Sequence, residues 1–157
     1  MDDKISAYRL SALKSIQMAK YLLSTTYPMI KEPKTLFSIS DHVLSSMMSS
    51  VSALLFFERS KRIIPPYHDT DESKFNAFRQ HLVKKYKFEE FLAAILRIEN
   101  LAKDRKKAPI EFSRNDKYVI CSDQFSKIQT ISEQDVKNYI KKAQDFVSKI
   151  DSVISNE

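Results

Sequence analysis

The chain contains no glycine among its 157 residues. Glycine adopts positive φ angles at low cost, so every helix C-terminus or tight turn that needs such an angle must use another residue. Phosphate-cradling loops, dinucleotide fingerprints and nucleophile elbows depend on glycine, and the sequence therefore excludes these sites in their usual form. We expect asparagine, proline or basic side chains to take the place of glycine at the helix C-termini.

Apolar residues recur at spacings of three and four in five segments, which is typical of amphipathic helices. We predict helices over residues 3–24, 38–62, 71–86, 88–106 and 132–155. With 43% hydrophobic residues, ten Phe and seven Tyr, the composition is that of a folded protein. A chain of this length corresponds to one domain. The predicted fold is mainly α: a single helical domain, residues 1–157, built as a five-helix bundle.

Local signals predict where the helices begin and end. Pro28 and Pro33 predict a connection after the first helix. Ser38 and Asp41 match the capping-box pattern, so we expect the second helix to begin at Ser38. Ser132 is followed by acidic residues, which are favourable in the first turn of a helix, and it is expected to begin the last helix.

A strand-like pattern replaces the helical one after Lys107. Residues 110–121 alternate with a period of two, and Arg114 to Lys117 are rich in turn-forming residues. Asn115 can take the positive φ angle that glycine would usually supply. We therefore predict a short β-hairpin between helices 4 and 5, with no strand elsewhere.

The densest positive cluster surrounds this predicted hairpin. The formal charge of +6 permits nucleic acid as a partner without requiring it. If the hairpin folds back beside helix 4, Lys and Arg side chains from both elements can contact phosphates, and a tyrosine can stack on an unpaired base. The alternative is that these cations are simply solvated or favoured by a helix C-terminus. The predicted nucleic-acid-binding residues are Lys103, Arg105, Lys106, Lys107, Arg114, Lys117 and Tyr118.

The second predicted helix is nearly uncharged for four turns and is rich in serine. Such a helix is buried on several sides, and its small side chains allow a neighbouring backbone to approach closely. That neighbour is either another helix of the same chain or a second copy. A homodimer is expected to form through Ser45, Met48, Ser49, Ser52 and Phe56.

A long amphipathic first helix beside a buried second helix resembles the HEPN superfamily of helical nucleotide-processing domains. Its catalytic members carry an Arg, then four to six residues, then a His, and Arg62 and His68 match that spacing in the segment RIIPPYH. The resemblance implies a metal-independent ribonuclease in which Arg62 holds a phosphate and His68 acts as general acid or base. The alternative is that Arg62 ends the second helix and His68 lies in a solvated elbow. We assign neither residue as catalytic.

The segments ERSKRIIPPYH and KKAPIEFSRNDKYVICSD are also similar to small uncharacterised archaeal helical proteins. That resemblance covers nearly the whole chain and brings no established activity.

Because Cys121 is the only cysteine, a disulfide within the chain is impossible. A lone thiol fits a reducing, cytoplasmic location. The N-terminal segment lacks the layout of a signal peptide, and no apolar stretch is long enough to span a membrane. We expect no metal, no cofactor and no membrane partner.

The leading interpretation is a non-catalytic RNA-binding or RNA-associated protein that uses the basic cluster. The first alternative is a homodimeric helical interaction module, and the second is a HEPN-like ribonuclease. Two features of the fold discriminate between the first two classes. Basic residues gathered on one face favour nucleic acid, whereas an exposed apolar patch favours a protein partner.

Overall fold

The computed structural model describes residues 2–122 and 126–156 and is mainly α-helical, as predicted. The helices are α1 (Asp3–Tyr21), α2 (Tyr27–Ile30), α3 (Thr35–Ser60), α4 (Asp71–His81), α5 (Val83–Tyr86), α6 (Glu89–Lys107) and α7 (Glu133–Ser155). The strands are β1 (Ile110–Arg114), β2 (Lys117–Cys121) and β3 (Ile128–Ile131). The five long helices α1, α3, α4, α6 and α7 correspond to the five that periodicity predicts.

Helix α3 lies at the centre of the bundle, with α1 along one side and α7 along another. Its serine-rich side faces α1 of the same chain. The Ser46 hydroxyl donates a hydrogen bond to the carbonyl of Ala12 at 2.7 Å, and the hydroxyls of Ser49 and Ser11 are 3.2 Å apart. Small side chains thus allow α1 and α3 to approach closely, and α1 covers much of the uncharged surface that suggested a dimer through α3.

The first helix is not broken at Pro28. The chain continues from α1 through a π-helical turn, Leu22–Thr26, into α2. A proline in a helix lacks an N–H donor, and its ring pushes away the carbonyl four residues earlier. The wider π turn just before Pro28 accommodates both effects, and the helical rod ends only at Lys31, whose φ is 46°.

Two further predicted boundaries are wrong. Helix α3 begins at Thr35 rather than Ser38, because the turn forms directly after Pro33, whose carbonyl accepts from the amide of Leu36 at 3.0 Å. The predicted third helix is interrupted at Leu82, which is fully buried. After this break, Lys85 and Tyr86 of α5 donate hydrogen bonds to the buried carboxylate of Glu58 on α3.

The N-terminus of α7 is as predicted. The hydroxyl of Ser132 accepts from the amide of Asp135 at 3.2 Å, and the Asp135 carboxylate accepts from the amide of Ser132 at 2.9 Å. These reciprocal bonds form a capping box. Further along, Asp151 of α7 pairs with Arg9 of α1 at 2.9 Å, which ties the two helices together.

The predicted hairpin is present, but it belongs to a three-stranded antiparallel sheet with the order β1-β2-β3. Arg114 pairs with Lys117, and the two residues between them, Asn115 and Asp116, have φ angles of 50° and 63°. These values fit the type I′ turn that two-residue hairpins prefer. The expectation of no strand beyond 110–121 is wrong, because β3 pairs with β2.

Candidate nucleic-acid interface

One face of the sheet packs on the helices. Tyr118 is only 7% exposed, and its ring meets the edge of Phe37 of α3 at a centroid distance of 5.1 Å. The guanidinium of Arg105 lies 4.3 Å from the centroid of the same Phe37 ring and 3.4 Å from the carboxylate of Glu111. Burial, followed by a hydrogen bond with Glu111, raises the pKa of Tyr118. Tyr118 and Arg105 therefore hold the sheet to the bundle, and the Tyr118 ring is not presented for base stacking.

Asp104 forms a second attachment between α6 and the sheet. Its carboxylate accepts hydrogen bonds from the ammonium of Lys127, at 2.8 Å, and from the side-chain amide of Gln129 on β3. These two hydrogen bonds, that of Lys127 first, lower the pKa of Asp104. The Asp104 carboxylate thus neutralises the charge of Lys127, which would otherwise add to the positive charge around the hairpin.

The other face of the sheet is open and forms a groove of about 490 Å³. Its floor is apolar, and its turn end is basic. Every residue of β1 is exposed, and the Phe112 ring retains 40% of its surface in solvent. The groove is lined by Phe112, Arg114, Asn115, Lys117, Val119, Cys121, Ile128 and Thr130.

The predicted basic residues do not all share this face. Arg114 and Lys117 lie opposite each other at the turn end of the groove, and both are exposed. Lys107 lines a smaller cleft at the far end of β2, which it shares with Cys121. Lys106 lines a separate depression between α3 and α6. Lys103 pairs with Glu99, at 2.7 Å, one turn earlier on the same helix.

Phe112 is the aromatic residue that sequence reasoning missed. It pairs with Val119, whereas Tyr118 pairs with Ser113, so the two rings lie on opposite faces of the sheet. The alternation in the sequence places them on different faces but does not say which face is open. The contact between Phe37 and Tyr118 decides this, because it turns the Tyr118 face toward the helices.

Arg62 and His68 take the structural positions that the alternative interpretation describes. Arg62 has a φ of 60°, and its amide donates to the carbonyl of Arg59, while the amide of Ile63 donates to the carbonyl of Glu58. This Schellman pattern ends α3 with Arg62 where glycine is usual. The His68 amide donates to the hydroxyl of Ser73, before α4. Both side chains are exposed, and in the described part of the chain no hydrogen bond joins them.

Within residues 2–122 and 126–156, no three His, Cys, Asp or Glu side chains are grouped so that they could hold a metal ion. The same residues include no helix with both the length and the apolar character needed to cross a membrane.

Comparisons with protein-family models, curated proteins and solved structures found no match. Function therefore has to be inferred from the geometry of the chain itself.

Proposed function

We propose that this chain binds single-stranded RNA, without cleaving it, on the open face of its sheet. The observation that carries the proposal is that an exposed aromatic ring, Phe112, shares one groove with the cations Arg114 and Lys117. Sequence-tolerant binders of single strands use this combination: bases stack on aromatic side chains while Lys and Arg follow the phosphates. Stacking of one base contributes about 1–3 kcal/mol.

The charge arrangement supports a strand that runs along the groove. Arg114 and Lys117 form no ion pair within the described residues, so their charge is available to a ligand. Phe112 lies two residues before Arg114 on the same strand and on the same face of the sheet, so a base stacked on its ring lies close to both cations. Lys107 lines a separate cleft with Asp104 and Ile120, so it is not among the cations of this groove. Arg114 and Lys117 can hold phosphates while a base rests on Phe112.

The shape of the groove favours a single strand over a duplex. A groove of about 490 Å³ accepts unstacked bases rather than a helix. Single-stranded RNA exposes the faces and edges of its bases, whereas A-form RNA keeps its bases stacked and is recognised across wide grooves. We therefore expect preference for unpaired RNA and little dependence on its sequence.

Fluorescence anisotropy with an unstructured RNA oligonucleotide, at several salt concentrations, tests the proposal. Each phosphate contact contributes a slope of about −0.7 to the plot of log affinity against log salt. Arg114→Glu with Lys117→Glu should weaken binding and flatten the slope by about 1.4, because two contacts are lost. Lys84→Glu with Lys141→Glu is the control, since both residues are exposed cations outside the groove.

Phe112→Ala tests the contribution of base stacking to RNA affinity separately from that of the phosphate contacts. It should weaken binding about tenfold to a hundredfold while leaving the salt slope unchanged, because no phosphate contact is removed. Tyr118→Phe should bind like the parent chain. Equal losses from the two charge-reversal pairs would mean diffuse attraction only, and no binding at low salt would refute the proposal. The RNA should be recovered intact, and cleavage that disappears in His68→Ala would instead support the HEPN-like ribonuclease.

A further inference from the structure

Helix α1 has a solvent-exposed apolar face. Leu10, Leu13, Met18 and Tyr21 expose between 45% and 56% of their surface. Leu10 and Tyr21 lie opposite the buried residues of the helix, with Leu13 on one flank of that side and Met18 on the other. The buried residues are Ile5, Ala12, Ile16 and Ala19. Single exposed apolar residues need no explanation, but several on one helix face indicate a contact surface.

This face carries a heptad-like seam. Residues spaced alternately by three and four positions lie on one line of a helix, and such a line is the contact seam of two-stranded coiled coils. The seam residues of α1 are Asp3, Ser6, Leu10, Leu13, Gln17 and Lys20, all of them exposed. Its centre is apolar, its flanking positions are polar and uncharged, and its two ends carry opposite charges.

The seam is complementary to itself in one orientation. If two copies of α1 pack antiparallel about a twofold axis between Leu10 and Leu13, each Leu10 meets Leu13 of the second copy. The same axis brings Asp3 next to Lys20 of the second copy at both ends, and places polar residues opposite each other between the ends and the centre. A parallel arrangement would place Asp3 against Asp3 and Lys20 against Lys20, which is unfavourable.

We propose that this face binds a second copy of the chain, in an antiparallel, twofold-symmetric dimer. Neither Asp3 nor Lys20 has an ion-pair partner within residues 2–122 and 126–156, so both are available across the axis. The contact is isologous, as in most homodimers. A single four-turn seam lies at the small end of specific interfaces, so we expect dissociation in the micromolar range.

The proposed dimer uses a different helix from the one that the serine-rich sequence suggests. Ser46 and Ser49 of α3 already contact α1 within the chain. Among the described residues, no hydrogen bond or ion pair joins Leu10, Leu13 or their seam neighbours to another helix, so this side of α1 is available to a second copy. The dimer does not depend on RNA binding, which is proposed for the sheet.

Analytical ultracentrifugation over a range of concentrations tests the proposed dimer. The mass should rise from 18.3 kDa toward twice that value with increasing concentration. Leu10→Ser with Leu13→Ser should keep the protein monomeric at every concentration. Ile63→Ser is the matched control, because it removes an equally exposed apolar side chain elsewhere. A parent chain that stays monomeric at hundreds of micromolar, or a double variant that still dimerises, refutes the proposal.

A charge exchange tests the orientation. Asp3→Lys and Lys20→Asp should each weaken the dimer, and the two together should restore it, because the pairs are re-formed with reversed signs. Asp3→Lys also places a cation at a helix N-terminus, so helical content is followed by circular dichroism. The double variant still carries Lys at position 3, so it keeps the unfavourable interaction with the helix dipole. If it nevertheless dimerises, the recovery must come from the re-formed ion pairs. Lys141→Asp controls for net charge, and failure of the double variant to regain association refutes the antiparallel alignment.

Discussion

Five residues other than glycine occupy the left-handed backbone region in the described chain. Lys31, Arg62 and Lys87 follow the C-termini of helices, and Asn115 and Asp116 form the hairpin turn. The absence of glycine predicts that asparagine, proline or basic residues replace it, and this is confirmed for Lys31, Arg62, Lys87 and Asn115. Asp116 belongs to none of these expected residue types. The sequence could not say which basic residues take these positions, because the selection depends on where each helix ends.

Lys87→Gly should make the protein more stable. The amide of Phe88 donates to the carbonyl of Val83 at 2.8 Å, so Lys87 lies at the position where glycine is preferred. A left-handed residue with a side chain costs about 1–2 kcal/mol, and the extra backbone entropy of glycine offsets about 0.5–1 kcal/mol of this cost. We expect a gain of about 0.5–1 kcal/mol, measured by chemical denaturation. Lys84→Gly, within α5, should instead lose about 1 kcal/mol. A loss from both variants would contradict the argument.

At the scale of elements, the attachment of the sheet was the least predictable part of the fold. The alternation of residues 110–121 predicts the hairpin and its turn, because register and turn type are local. Strand β3 has only four residues, and Ile128 is exposed while Ile131 is buried. Its position depends on Asp104, far away in the chain, which binds Gln129. No local pattern carries that information, and for the same reason the sequence could not tell which side of the hairpin remains open.

The contribution of Asp104 to stability should depend on pH. Its pKa is lowered in the folded state, so its stabilising effect is complete above the unfolded-state pKa of about 3.9 and is lost as the pH falls through the folded-state pKa. Asp104→Asn should therefore be less stable than the parent chain at pH 7, and the difference should shrink as the pH falls below the unfolded-state pKa.

Chemical denaturation of both proteins across this pH range measures the contribution of Asp104. The pKa of Asp69 is also lowered, by its hydrogen bond with Lys74, but Asp69 titrates in both proteins and cancels in the difference. A difference that does not change with pH would mean that the substitution acts through packing alone.

At the scale of the whole molecule, an aromatic cluster joins helices that are distant in sequence. Phe78 of α4, Phe88 just before α6, Phe91 of α6 and Phe146 of α7 form ring pairs with centroid distances from 4.9 to 6.4 Å. The rings of Phe78, Phe91 and Phe146 are fully buried. Periodicity predicts that Phe78, Phe91 and Phe146 face inward, but not that their rings meet, and it does not assign Phe88 to the core.

Phe146→Ala should cost about 3–5 kcal/mol, because it leaves a cavity against three other rings. That is a large share of the total stability of a domain, which is about 5–15 kcal/mol. Thermal and chemical denaturation should show the loss. Phe112→Ala removes the same atoms from an exposed site and should cost much less. Similar losses in the two variants would contradict the assignment of Phe146 to the core and Phe112 to the open face.

The central position of α3 has a consequence for the synthesis of the chain on the ribosome. Helix α1 emerges first and can cover the serine-rich side of α3 as soon as α3 is made, since Ser46 binds the carbonyl of Ala12. The other side must wait for α7, which is translated only after α4, α6 and the sheet. A nascent chain that has completed α3 therefore carries a long apolar surface that later helices have not yet covered, and such transiently exposed surfaces are prone to aggregation.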